Sequence, residues 1–330
     1  MKTLDIKNQD CIEYLKSLPS ESVDLVLTDP PYNIGVDGGK GWDSENGDTW
    51  GPDKNLPYLD WCKLWTDECV RVLKPNRMLI VWGTLKTDDF LKYKLDVLNS
   101  YPDMVGQQEI IWGYNWGGRT NSNFARKHEY AWCYSKGEKF LFNADDVRIE
   151  RAVQFDMNKQ KKMLNAFKNY KCWSRGDREP TKEEISIYKK EVIEPITEFK
   201  KGSIPTSIWQ KNNHTTSNDY CGWHATTKNI EILERMISAY TNKGDTVLDI
   251  FMGSGSTAIA ASNLERKIIG CEKDEEYYPK MMFRTEVSQY QNWYDKNKEF
   301  INKIVKEKNI EKKEEKKELA TLHNFLRMAH

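Results

Sequence analysis

With 330 residues, the chain is long enough for one large domain or a domain with a smaller module, and either can bury a proper core. Its 50 basic and 50 acidic side chains cancel, so a nucleic-acid partner must be met by a local basic surface rather than by the field of the whole molecule. At 38% hydrophobic and 30% charged the composition is polar for a globular protein, no run is apolar enough to span a membrane, and MKTLDIKNQD lacks a secretory signal, which predicts a cytoplasmic protein. The cysteines (Cys11, Cys62, Cys69, Cys133, Cys172, Cys221, Cys271) are scattered without a CxxC pair or a nearby His cluster. They read as small buried hydrophobes, and neither a zinc site nor a disulfide framework is indicated.

Taken from the start, the chain predicts a strand at Leu4–Ile6, a helix over Gln9–Leu18, a turn at Pro19-Ser20 and a buried strand Asp24–Thr28 that runs into Asp29-Pro30. Strand, helix, strand is the opening of an α/β fold. Val36–Asn55 (VDGGKGWDSENGDTWGPDKN) has no periodicity and reads as a long loop, with Trp42 and Trp50 placed to close over a ligand. A helix follows from Leu56 to Leu73, stopped by Pro75, and then a strand Met78–Trp82; further strands are expected at Gln108–Trp112 and Glu129–Tyr134. Trp112, Trp116 and Trp132 sit at strand positions and read as core.

From Asn143 to Ser203 the alternation gives way to Lys/Glu-rich sequence, read as an inserted module. Lys159, Lys161, Lys162, Lys168, Lys171, Arg175 and Arg178 are interleaved there with Tyr170 and Trp173, a pattern suited to a nucleic-acid surface, although Glu183, Glu184, Glu191 and Glu194 dilute it and a solvated helical face is the plainer reading. The α/β pattern then resumes with a helix Lys228–Tyr240, a strand Thr246–Ile250, a helix Ser256–Leu264 and a strand Lys267–Cys271. Beyond Tyr278 the chain is helical and charged. The expected organisation is therefore a catalytic and cofactor-binding α/β domain from residues 1–142 and 204–280, a target-recognition module over 143–203, and a charged helical extension over 281–330.

Two segments carry chemistry. Asp249-Ile-Phe251-Met-Gly253-Ser-Gly255-Ser-Thr-Ala258 lies where a strand ends and a helix begins, where glycines let backbone approach a ligand and a helix N-terminus faces it. Glu272 ends the next strand, where a carboxylate can accept hydrogen bonds from both hydroxyls of a ribose. Alone, these residues leave NAD and S-adenosyl-L-methionine both open. Asp29-Pro30-Pro31-Tyr32 discriminates. The amino group of adenine or cytosine has its lone pair delocalised into the ring; a carboxylate and a carbonyl freed from regular pairing by prolines can accept its N–H bonds and localise that pair. Tyr32 can stack on the base, which must leave the duplex to arrive there.

Asp29–Tyr32 followed by Asn33-Ile34-Gly35, together with the Asp249–Thr257 loop, resembles the amino-methyltransferases of DNA, in the motif order of their beta group. The resemblance spans Leu4 to Tyr278 and includes Trp209, His224-Ala-Thr226-Thr-Lys228, Gly270-Cys-Glu272 with Tyr277, and the less specific His128-Glu129. It implies a doubly wound, mostly parallel sheet of the S-adenosylmethionine-dependent methyltransferase type with an inserted target-recognition module. It further implies that Asp29, Pro30 and Tyr32 hold a flipped base, and that Asp249, Phe251, Gly253, Gly255, Glu272, Thr226 and Lys228 hold the cofactor. The chain departs from the family at Ala225 and Asn229, where prolines are usual, which bears on Thr226 and Lys228. Asp in the first motif position favours adenine N6; cytosine N4, more often associated with Ser there, is the nearest rival, and a catalytically silent DNA-binding subunit the alternative from another class. The implied partners are double-stranded DNA, a homodimeric second copy and a cognate restriction endonuclease, with no membrane.

Overall fold

The computed structural model describes residues 4–33, 56–85, 88–114, 124–125, 127–149, 181–183, 186, 190, 204–210, 221, 223–224 and 226–288. The expected loop Val36–Asn55, Trp116, most of the 143–203 module and the extension beyond residue 288 lie outside them. By contacts the chain divides into two compact units, Met1–Phe142 with Ser207–His330, and Asn143–Thr206.

The first unit is built on one eight-stranded sheet. Its strands are β1 (Leu4–Asn8), β2 (Val23–Thr28), β3 (Leu73–Gly83), β4 (Met104–Gly113), β5 (His128–Lys136), β6 (Ile208–Gln210), β7 (Thr246–Asp249) and β8 (Lys267–Glu272). They run in the order β1-β8-β7-β2-β3-β5-β4-β6. The pairs from β1 through β3 are parallel, β5 runs antiparallel to both β3 and β4, and β6 adds to β4 in parallel. The α/β expectation therefore holds, with an antiparallel strand on a parallel core.

Every residue of β2 is buried, as a strand covered on both faces requires. The helix α1 (Cys11–Ser17) is started by Asp10, whose carboxylate accepts from Ile12 N at 2.9 Å. In α2 (Tyr58–Val72) the buried positions Trp61, Cys62, Trp65, Cys69 and Val72 recur at helical spacing and turn one face to the sheet. A short helix α3 (Asp88–Lys92) passes directly into a π-helical turn, Tyr93–Val97, and inserts Phe90 and Tyr93 into the core. The sequence announces neither element. Two helices of the second half follow, α4 (Ile230–Tyr240) and α5 (Ser256–Asn263). Trp112 and Trp132 are buried, as expected. So are Cys11, Cys62, Cys69, Cys133 and Cys271, while Cys221 is half-buried and Cys172 lies outside the described residues.

Topology decides where chemistry can sit. Strands β2 and β7 are neighbours in the middle of the sheet although their partners in register, Leu25 with Val247 and Val26 with Leu248, lie 222 positions apart in the chain.

 The sheet order reverses at this pair: from β2 the chain moves outward to β3 on one side, and later places β7 and β8 on the other, between β2 and the first strand β1. In a parallel sheet the crevice outside the carboxyl ends of the strands at such a reversal is where ligands bind. Asp29 follows the last residue of β2, and Asp249 is the last residue of β7.

Candidate active site

Asp29 leaves β2 half-buried, and Pro30 behind it is buried. One oxygen of the Asp29 carboxylate accepts from the Tyr32 hydroxyl and the other from the ammonium of Lys228. The prolines hold this turn open, since neither offers an N–H to a neighbouring strand. The Pro31 carbonyl accepts instead from Tyr58 Oη at 2.7 Å, and Asn33 Nδ2 donates to Asp89 Oδ2 at 3.0 Å, which ties the motif to α2 and α3. The Tyr32 ring packs on Phe90, with centroids 4.9 Å apart.

The glycine loop after β7 is organised from inside. Asp249 is buried, and its Oδ1 accepts from Thr28 Oγ1 at 2.8 Å and from Phe251 N at 3.1 Å. It therefore joins the end of β2 to the loop. Burial pushes its carboxyl up to about 6, partly opposed by the hydrogen bonds from Thr257, Phe251 and Thr28. Phe251 lies against Trp61 and Trp65, with both centroid separations 5.6 Å.

Gly253 and Gly255 have φ of +48° and +80°, in the left-handed region that favours glycine. They are small for different reasons. A Cβ on Gly253 would stand 2.8 Å from His224 Nε2, whereas one on Gly255 would stand 2.8 Å from Met281 Cγ and 2.9 Å from Thr285 Oγ1. Gly253 thus admits the loop before α4, and Gly255 admits the helix that begins at residue 277.

Glu272 ends β8. Its Oε2 accepts from Gly253 N at 2.7 Å and its Oε1 from Asp274 N at 2.9 Å, so each oxygen keeps acceptor capacity beyond one backbone bond. Burial raises its carboxyl above the usual range. His224, Trp223 and Tyr277 cluster beside this loop, with the His224 and Tyr277 centroids 5.1 Å apart. Burial lowers His224 to about 4, so its ring is neutral at pH 7.

The structure brings Asp29 into direct contact with Tyr32 and Lys228, and hydrogen bonds join Asp249 to Phe251 and Gly253 to Glu272. Thr226 is half-buried between His224 and Lys228 in the chain. Lys228, expected on the cofactor, is placed on Asp29, and its Nζ also lies 3.2 Å from Glu129 Oε2. Burial opposes its charge, but the two carboxylates outweigh burial and hold the ammonium above the usual lysine range. Glu129 is the site residue that the sequence left without a role. Its only signal is the His128-Glu129 pair, and nothing in spacing connects it to a lysine 99 positions later (228 − 129). Asn229, where the family usually has proline, caps α4 by accepting from Ile232 N at 3.2 Å. Among the described residues no group of His, Cys, Asp and Glu could hold a metal ion, and no helix is long and apolar enough to cross a membrane.

Known proteins share this arrangement of sequence and fold. The type II methyltransferase M.HpaI of Haemophilus parainfluenzae is 27% identical over 269 residues, which span 81% of this chain and 69% of that protein. The DNA adenine methyltransferase YhdJ of Escherichia coli is 26% identical over 283 residues, spanning 85% and 82% of the two chains. A solved PvuII DNA methyltransferase, cytosine-N4-specific, shares the fold with a TM-score of 0.54 at 16% identity, covering 99% of this chain and 95% of its own. The model of the N6_N4_Mtase DNA methylase family matches residues 23–284, a stretch that contains both Asp29 with its prolines and the glycine loop with Glu272. The chain belongs to that family of DNA methylases.

Proposed function

We propose that the protein methylates N6 of adenine at specific sites in double-stranded DNA, using S-adenosyl-L-methionine and a base turned out of the helix. The observation that carries this reading is the Asp29 carboxylate at the carboxyl end of β2, beside the glycine loop of β7 and bonded to the Tyr32 hydroxyl. An exocyclic amino group offers N–H donors. A carboxylate that accepts one of them draws the nitrogen lone pair out of the ring and stabilises the positive charge that develops as the nitrogen attacks. The turn at Pro30 and Pro31 provides main-chain carbonyls for the second donor, and Tyr32 supplies an aromatic face for the base.

The residues around the loop fit the cofactor. Glu272 has acceptor capacity for ribose hydroxyls, Phe251 provides an apolar wall, and Gly253 bends the loop so that its N–H holds the Glu272 carboxylate in place. When bound, S-adenosylmethionine supplies an electrophilic methyl group. The protein's own part is to set the amino nitrogen in line with it, where proximity and orientation lower the barrier. Similarity to a DNA adenine methyltransferase and Asp rather than Ser at position 29 support adenine over cytosine.

The test is direct. Incubation with labelled S-adenosylmethionine and mixed-sequence DNA, followed by digestion to nucleosides, is expected to give labelled N6-methyldeoxyadenosine. Label in N4-methyldeoxycytidine overturns the choice of base, and cofactor binding without transfer points to a silent DNA-binding subunit.

A further inference from the structure

The motif and the glycine loop give tasks to Asp29, Tyr32 and Glu272 but none to the buried charges on either side of them. Lys228 is 6% exposed and stands just before α4; Glu129 is the second residue of β5. The ammonium bonds Asp29, lies 3.2 Å from Glu129 Oε2, and rests over the rings of Trp82 and Tyr32 at 5.3 and 5.9 Å. Glu129 Oε2 is buried and has no hydrogen-bond partner among the described residues, so its contact with Lys228 is an ion pair out of line for a hydrogen bond. The other titratable groups facing this cluster are the Tyr32 hydroxyl on Asp29, Asp249 behind Thr28 on β7, and the neutral His224 in the loop before α4.

This arrangement raises a chemical conflict. A carboxylate bonded to an ammonium has its acceptor capacity committed and its charge neutralised, which weakens it as a partner for a base amino group. Displacing the ammonium from Asp29 is by itself no remedy, because it would leave a buried cation without a counter-ion. A second carboxylate with a vacant acceptor resolves the conflict.

We propose, on the reading that this site methylates an exocyclic amino group, that Lys228 is a place-holder for the base and Glu129 its alternate counter-ion. With no base present, the ammonium occupies the acceptor site on Asp29. As the base enters, its amino N–H takes that site and the ammonium turns onto Glu129 Oε2. The exchange makes and breaks only hydrogen bonds, and no proton changes owner. Asp29 keeps its number of donors, and Glu129 gains the one it lacks. Because Nζ already lies 3.2 Å from Oε2, side-chain rotation suffices. Lys228 and Glu129 are thus positioning residues that act through Asp29.

The experiment compares Glu129→Gln, Lys228→Met and the double variant with wild type, measuring cofactor affinity by calorimetry, kcat at saturating DNA across pH, and unfolding of the cofactor-free protein across pH. Glu129→Gln keeps the shape but removes the receiving charge. Its kcat is expected to fall about 100-fold, the scale of a misplaced reacting group, with cofactor affinity unchanged. Lys228→Met leaves two half-buried carboxylates side by side without their cation, so one retains a proton toward neutral pH and the acid limb of the kcat profile moves upward. The folded variant then binds a proton that the unfolded chain releases, and its stability relative to wild type falls as pH rises above the ordinary carboxylate range. The double variant should lose that pH dependence and turn over faster than Lys228→Met alone.

Full activity in Glu129→Gln overturns the proposal. So does a Lys228→Met variant that binds cofactor at least tenfold more weakly with kcat intact, since the lysine then serves the cofactor, and so does a double variant no better than Lys228→Met. A wild-type protein that transfers no methyl group to DNA overturns the functional reading instead; the unfolding series needs no turnover and still decides whether Asp29, Lys228 and Glu129 act as one charge unit.

Discussion

At the residue scale, Asp29 and Asp249 are carboxylates in contrasting surroundings, distinguished by what their oxygens meet. Asp29 is half-buried and bonds two side chains, Tyr32 and Lys228. Asp249 faces inward and bonds Thr28 and the backbone of its own loop. Asp29→Ala is expected to reduce methyl transfer by about 1,000-fold or more, the effect of removing a preorganised group at a developing charge, with cofactor affinity within a few-fold of wild type. Calorimetry alongside a transfer assay checks this, and simultaneous loss of both would mean that Asp29 organises the cofactor site. For Asp249 the folded carboxyl titrates at about 6, above its unfolded value of 3.8. The folded state then binds more protons, so this residue's contribution to stability is fully present below the unfolded value and declines as pH rises toward 6. Wild type should therefore lose stability relative to Asp249→Asn between pH 4 and 6, by about 3 kcal/mol at most. Thermal unfolding of both proteins over that range measures it, and a constant difference between them would show that Asp249 does not titrate there.

At the element scale, the elements most legible in sequence are those whose local pattern agrees with their surroundings. The all-buried β2 and the apolar stripe of α2 are found within a few residues of their expected bounds. Strand β3 begins earlier than Met78, directly after α2 at Leu73, because Pro75 and Asn76 mask the strand pattern while Val23 still pairs Leu73. The α3 and π-helical segment has no comparable signature; its apolar residues Phe90 and Tyr93 make sense only once Tyr32, Trp65 and Trp132 surround them. The glycine loop shows a similar limit. Its sequence suggests that Gly255 makes room for ligand, yet the neighbours of a Cβ there are Met281 and Thr285. Gly255→Ala is expected to destabilise the protein by about 2–4 kcal/mol, combining a left-handed backbone with overpacking against that helix. Chemical denaturation checks it; a loss under 1 kcal/mol would mean that the helix yields readily.

At the scale of the whole molecule, zero net charge means that DNA must be held by a concentrated surface. The cluster Lys159, Lys161, Lys162 and Lys168 is the sequence's candidate, and it lies outside the described residues. Replacing these four lysines with glutamine is expected to weaken DNA binding and flatten its dependence on salt, while leaving cofactor affinity unchanged. Affinity measured from 50 to 200 mM salt tests this; an unaltered slope places the phosphate contacts elsewhere. The α/β class, the Asp29–Tyr32 motif and the glycine loop are legible in the sequence alone, because hydrophobic period, proline and glycine act locally and leave a mark within a few residues. Only the tertiary structure decided that Thr28 meets Asp249 and that Lys228 stands between Asp29 and Glu129. Those contacts join residues far apart in the chain, through a sheet order that reverses at β2 and β7, and no local pattern encodes such a meeting.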